Sequence, residues 1–277
     1  SESIPEFSRF AWFSMMFGAG IGVGMLTYST AEPLAHFATN PDVILGTTSA
    51  LDYNNLSAAY KWTLLHYGLT PWGCYAIVGL SLAYFAYQRD MPLTIRSPFT
   101  AVLQAGLSRK VGAVVDAAAI LATIIGIGVT IGYGVNQLAF GAYQITDWSW
   151  LINEDKPSLL ALALAVIFLT TAAMLSALSG IGRGIRWLSN LNMALSWLLL
   201  VIFIVFGATA FAGEMFISGL SAYLRHIPTM SLTIWSSSET ETARALSDWQ
   251  SAWSVFYWAW WIAFTPFVGL FLARVSR

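Results

Sequence analysis

Apolar positions fall in long blocks along this chain rather than in short alternating periods. Six blocks stand out, at residues 10–28, 64–87, 111–143, 159–178, 188–211 and 249–273. Each is close to or above the roughly 20 residues that a membrane-crossing helix requires. A backbone facing lipid must satisfy its own polar groups, so the blocks are predicted as helices and the fold as all-α, a polytopic membrane protein. The third block exceeds one crossing, which predicts a tilted helix or one that runs past the bilayer. Residues 215–230 mix apolar and polar side chains and include Pro228. They read as a helix lying along the membrane surface. Residues 179–192, with Gly180, Gly182 and Gly184, read as a tight turn, and the polar stretch 33–61 as the longest loop.

Composition sharpens this picture. The 277 residues are 57% hydrophobic, 15% aromatic and 10% charged. A soluble domain carries about 25% charge, so a water-soluble monomer and a disordered chain are both excluded. A net charge of −1 offers no basic footprint for nucleic acid. Cys74 is the single cysteine, which excludes a disulfide framework and a multi-cysteine metal site. Arg9, Arg89, Arg96, Arg109, Lys110, Arg183, Arg186, Arg274 and Arg277 fall on one side of the six blocks; Lys61, Lys156, Arg225 and Arg244 fall on the other. The bias of basic residues toward the cytoplasm then predicts that both ends lie inside. The acids of the outer loops, Asp42, Asp52, Asp147, Glu154, Asp155, Glu214, Glu239, Glu241 and Asp248, are expected to be solvated. The first block has neither a basic leader nor a small-residue cleavage site, so it is not read as a signal peptide. With no initiating Met, the chain is expected to be an internal piece of a longer protein.

Three features carry candidate chemistry. Gly18, Gly20, Gly22 and Gly24 lie within seven residues of the first block. Each weakens a helix by roughly 1 kcal/mol relative to alanine. They permit either close helix packing or a broken helix whose free N–H and C=O groups hold an ion or an anionic group. Their place near mid-span favours the break. No strand precedes the run, so a dinucleotide fingerprint is rejected. Trp249 and Trp253 fit an interfacial aromatic belt. Trp258, Trp260 and Trp261 lie too deep for one, and either one or two of them line a cavity or all pack in the core. In the second block Trp72 and Tyr75 are three apart and share a helix face beside Tyr67, and Pro71 is expected to kink the helix. His66 reads as a helix-end histidine, and His36 and His226 as loop residues. No histidine–carboxylate relay is expected at mid-membrane depth, and Asp116 is the only acid near a span. A cation would therefore be held by aromatic faces, at about 2 kcal/mol or more when desolvated. Quaternary ammonium groups suit that mechanism because they have no N–H to donate. No nucleophile–base pair or metal constellation suggests an enzyme.

The stretches FGAGIGVGMLTYSTAEPLAHF, MPLTIRSPF, ATIIGIGVTIGYGVNQL, LSGIGRGIRWLSNLNMAL and FYWAWWIAFTPFVGLFLARVSR resemble the betaine/carnitine/choline transporter family over nearly the whole chain. The resemblance implies a twelve-span fold built on a five-plus-five inverted repeat, of which this chain holds spans three to eight. Residues 10–212 would be the first repeat, 213–230 the surface helix, and 249–273 the leading helix of the second repeat. It further implies a homotrimer in the cell membrane and secondary active transport of an onium zwitterion such as glycine betaine by alternating access. Sodium would be the coupling ion, and no cofactor is expected. Ion-independent exchange of carnitine-type substrates, or carriage of choline or dimethylsulfoniopropionate, are the alternatives; a channel or osmosensor is the rival from another class. The family's aromatic box maps to Tyr67, Trp72, Tyr75 and Trp261, with Trp260 and Phe264 along the pathway; Trp258 is a further substrate-binding candidate. Tyr67 and Phe264 stand where many members have Trp. Gly24 stands where choline carriers tend to have Asp, which favours a zwitterion whose carboxylate meets the backbone at Gly20, Gly22 and Gly24. Family sodium sites map to the carbonyls of Gly18 and Ile21, and to Thr123, Thr130 and Phe267.

Overall fold

The computed structural model describes residues 5–20, 23–103, 105–236 and 240–276. The first apolar block gives α1 (Arg9–Gly20) and α2 (Val23–Ala38). Ile21 and Gly22, where the sequence places a helix break and part of an ion site, lie outside the described residues. A short α3 (Pro41–Ile44) and a 3-10 turn (Tyr53–Asn55) lead to α4 (Leu56–Tyr67) and α5 (Leu69–Gln88). After α6 (Ser97–Val102) comes α7 (Ala105–Thr146), a single helix of 42 residues. At 1.5 Å per residue it is about 63 Å long, roughly twice the hydrocarbon thickness of a bilayer. A small antiparallel hairpin, β1 (Ile152–Asn153) and β2 (Lys156–Pro157), precedes α8 (Leu159–Leu178). A π-helical turn (Ile181–Ile185) opens α9 (Arg186–Phe206), which is followed by α10 (Thr209–Leu232) and α11 (Glu241–Gln250). A second π-helical turn (Ser251–Val255) then feeds α12 (Phe256–Val275).

The molecule is all-α, as the sequence predicts. Of the six expected crossings, five helical segments among the described residues are long and apolar enough: Tyr53–Gln88, Lys110–Thr146, Leu159–Leu178, Ile181–Phe206 and Glu241–Val275. Helices α8 and α9 bury only Ala161, Ala165 and Met193, and leave Phe168, Phe203 and Phe206 exposed. Apolar surface of that extent suits a lipid environment.

Small residues set a close contact between α5 and α12. A Cβ on Gly269 of α12 would lie 2.6 Å from Val78 Cγ1, and one on Gly79 of α5 would lie 3.4 Å from Leu272 Cβ. Close backbone approach of this kind replaces the hydrophobic drive that lipid removes. It presses the buried face of α12, with Tyr257, Trp261, Thr265 and Val268, against α5.

Four expectations are corrected. The interruption in the second block lies at Gly68 rather than Pro71, because Pro71 sits in the first turn of α5, where a missing N–H costs nothing. Gly68 N–H donates to Leu64 O at 2.7 Å, and the Tyr223 hydroxyl of α10 accepts from Leu69 N–H at 2.8 Å. The 33–61 stretch is not an open loop. Helix α2 continues through Pro33, and buried Asn40 donates to Asn55 Oδ1 at 2.8 Å while capping α3. Asp42 is not merely solvated; it pairs with Lys61 at 2.8 Å and accepts from Trp62 Nε1 at 2.5 Å. Helix α10 begins before the expected 215, and its Met215, Gly219, Tyr223 and Met230 stripe packs on α4.

Substitution Gly269→Val should cost about 1–3 kcal/mol through overpacking against Val78. The expected outcome in the full-length protein is a thermal midpoint several degrees lower in detergent. Gly141→Ala, at a helical glycine with open space around it, should leave the midpoint unchanged or raise it.

Candidate functional site

The single-residue interruption at Gly68 lets two helices present aromatic rings to one place. Tyr67 closes α4, while Trp72 and Tyr75 stand one turn apart on α5. Trp261 reaches them from α12. Its ring meets Tyr75 at 5.9 Å and 84°, and Tyr67 at 6.3 Å and 81°; Trp72 meets Tyr75 at 5.9 Å and 86°. These are edge-to-face contacts. The buried Trp261 Nε1–H donates to His66 O at 2.8 Å, using a carbonyl freed at the end of α4. Gly20, at the end of α1, lies against the Trp72 indole so closely that a Cβ there would overlap the ring.

A cavity of about 580 Å³ lies beside this cluster, within the range of small-molecule sites. Gly18, Gly20, Tyr75, Thr130, Trp260, Trp261, Phe264 and Phe267 line it, and it extends to Ser176, Ala177 and Ile185 beside the α8–α9 turn. Among the described residues no charged side chain is in its wall. Tyr67 and Trp72 are not in its lining; they meet Trp261 and Tyr75 edge to face. The structure thus brings together most of the residues singled out in the sequence. Among the aromatic candidates Trp258 is the exception: it is half-buried and joins neither the ring cluster nor this wall. Tyr257, Trp261 and Thr265 repeat every four residues on one face, and Trp258, about 60° round the helix from the middle of that face, falls at its edge. Gly24 lies in the first turn of α2.

The two candidate threonines differ. Thr123 Oγ1 donates to Ala119 O at 2.8 Å, the usual use of a helical threonine, and it faces a separate groove with Phe267. Thr130 Oγ1 is buried without a hydrogen-bond partner and borders the main cavity.

Sequence reasoning missed what lies at the other end of the cluster. Tyr67 and Tyr257 hydroxyls meet at 2.5 Å, and Tyr28 and Tyr133 hydroxyls at 2.8 Å. Behind them Glu32 Oε1 meets His36 Nε2 at 3.0 Å and His66 Nδ1 at 2.5 Å, and His66 Nε2 meets Ser254 Oγ at 3.0 Å. All of Glu32, His36 and His66 are buried. The expectation of scattered histidines is therefore wrong, and a carboxylate–histidine cluster is present: α2 carries Glu32 and His36 one turn apart, and α4 brings His66 to the same carboxylate. The four-residue spacing of Glu32 and His36 was the available signal. Trp249 is likewise not an interfacial belt residue. It is 5% exposed in α11, and its ring lies 5.3 Å from His36 and 5.1 Å from Trp62. Tyr257 was also legible in principle, one turn before Trp261.

The chain matches the family described as BCCT, betaine/carnitine/choline family transporter, over residues 1–277. It is 38% identical over 276 residues to an osmo-dependent choline transporter of Acinetobacter baylyi, covering 100% of this chain and 38% of that protein. It is 39% identical over 278 residues to a high-affinity choline transport protein of Escherichia coli, covering 100% and 38%. A glycine betaine transporter of Bacillus subtilis is 35% identical over 274 residues, covering 99% and 50%. The chain spans from two fifths to half the length of these relatives. With the family's pattern matched from end to end and helices of membrane-crossing length throughout, the chain belongs to the betaine/carnitine/choline transporter family of integral membrane proteins.

Proposed function

We propose that the whole protein of which this chain is part is a secondary active transporter for a quaternary ammonium or sulfonium zwitterion of the glycine betaine type. The observation that carries this reading is the uncharged aromatic wall of Tyr75, Trp260, Trp261 and Phe264 around a 580 Å³ cavity. A methylated onium group has no N–H to donate, so ring faces are its natural partners. The relatives named as choline and glycine betaine transporters support the same class.

The mechanism is alternating access, with α1–α2 and α12 as the leading helices of two inverted repeats. Sodium is the coupling ion, held in part by the Thr130 hydroxyl. The end bearing Arg183 and Arg186 is cytoplasmic, and the assembly is a homotrimer. A cation gradient drives uptake when the ion binds better to the substrate-loaded state that faces outward.

Choline is the second reading. It is favoured by the buried Glu32 carboxylate beyond the Tyr67–Tyr257 pair, which places negative potential at one end of the ring cluster.

The deciding experiment is uptake of labelled glycine betaine and labelled choline by the full-length protein in cells lacking other carriers, with and without a sodium gradient. Saturable, sodium-dependent uptake of glycine betaine is the expected result. Preference for choline selects the second reading, and no saturable uptake of either would sink both. Replacing Trp261 by Ala should raise the KM roughly 30-fold, the loss of about 2 kcal/mol of cation–π attraction. Trp148→Phe, in the exposed segment after α7, serves as the control and should leave KM unchanged. If both substitutions act equally, Trp261 has no cage role. For the ion, Thr130→Val should raise the sodium concentration for half-maximal uptake by about tenfold, while Thr123→Val should not. The reverse order would move the ion site to the Thr123 groove.

A further inference from the structure

Glu32 presents a problem of charge that the transport reading does not address. Its side chain is 0% exposed, as is that of His36, and His66 is 2% exposed. The charged or titratable groups that face it are few. From α2 there are His36 and Tyr28, from α4 His66 and Tyr67, and from α12 Tyr257. The π-helical turn and α11 contribute only Ser254, Trp253 and Trp249. The nearest acid–base pair, Asp42 with Lys61, is on the α3 side and satisfies itself. Among the described residues no lysine or arginine pairs with Glu32. A lone carboxylate in such a place is strongly disfavoured unless an opposite charge or a proton joins it.

The hydrogen bonds say where a proton would go. With Glu32 ionised, its Oε1 accepts from both imidazoles, which puts the His36 proton on Nε2 and the His66 proton on Nδ1. His66 Nε2 then accepts from the Ser254 hydroxyl. With both rings neutral, the cluster carries −1. Two buried atoms remain without partners, His36 Nδ1 and Glu32 Oε2. Either can take a proton, and the cluster becomes neutral overall.

We propose that Glu32, His36 and His66 form a proton-binding site that latches the end of the cavity opposite the α8–α9 turn. It takes one proton from water as that end closes and returns it as the end opens. This rests on the alternating-access reading above. The cluster is placed for the task. Glu32 ties α2 to α4, His66 ties α4 to the turn that starts α12, and the His66 carbonyl holds Trp261 of the aromatic wall. Opening that end breaks these bonds and separates the three groups, so the proton site is whole only in the closed arrangement. A proton that binds the closed state better stabilises it by the same difference. The proton belongs to the cluster as a unit rather than to one ring.

The test uses the full-length protein, with divalent cations chelated throughout. Trp253 and Trp249 rings lie 4.7 and 5.3 Å from His36, and imidazolium quenches indole emission. A titration of tryptophan emission from pH 5 to 9 should therefore show a quenching step without any substrate. His36→Gln should abolish the step. If that variant fails to fold, Trp253→Phe should reduce its amplitude by removing a reporter. Initial uptake of labelled glycine betaine and choline should then change across the same pH range, by at most about tenfold per pH unit for one proton. Glu32→Gln should flatten that profile. No emission step in the wild type, a step unaltered in the variants, or a step with uptake indifferent to pH would each overturn the latch. If neither compound is taken up at any pH, the transport reading fails, and the emission step alone then decides whether the cluster binds a proton.

Discussion

Between Tyr67 and Leu69 the chain leaves the helix for one residue, and the contacts of the site depend on that residue. A Cβ at Gly68 would lie 2.5 Å from Leu64 O and 2.6 Å from the Tyr223 hydroxyl, so no larger side chain fits without moving one of them. The interruption frees the carbonyls of the last turn of α4. One of them, on His66, receives the Trp261 indole N–H. The first N–H of α5 is met by Tyr223 rather than by water. A helix running straight through would point Tyr67, Trp72 and Tyr75 at different neighbours. Interrupted here, it turns Tyr67 and Tyr75 toward α12 and Trp72 toward Gly20 of α1, and leaves His66 facing Glu32.

The site is then layered by polarity. A cavity walled by rings and small residues lies next to α1, α7 and α9. Above it come hydroxyls in pairs, Tyr67 with Tyr257 and Tyr28 with Tyr133. Beyond them is the carboxylate–imidazole cluster, and then the Asp42–Lys61 pair near the surface. Polar groups in a dry interior are tolerated only when each meets a partner, and a connected set polarises its own members. Here the connection runs across three chain segments, so the polar layer also fixes how those segments sit together.

How much of this was legible follows from what each feature depends on. The bounds of α8 were readable, because a long apolar run between Ser158 and the Gly180 turn has one solution in a bilayer. The chemistry of the cage was readable from motifs, and only in part from spacing: nothing in FYWAWW says that Trp258 turns aside while Tyr257 turns in. The order in the 33–61 segment was not readable. It comes from the Asn40–Asn55 and Glu32–His66 bonds, which join residues 15 and 34 positions apart, and a polar stretch with no period looks the same whether its side chains meet water or one another. Trp249 was misread for the same reason. An aromatic ring near a span end fits a belt, and only the three-dimensional neighbours His36, His66 and Trp62 give it an interior.

The contact between Gly20 and Trp72 joins two helices from different parts of the chain through one shared volume. The indole occupies the space that a side chain at position 20 would need. Size at one position is therefore tolerable only as a function of size at the other: a small residue at 72 would leave a void beside a glycine, and a methyl at 20 would displace a ring. The two positions behave as a single locus, and substitutions there should be non-additive in the manner of residues in direct contact. In lineage terms, a change of pocket shape at this corner is a two-step path whose intermediates are each worse than either end.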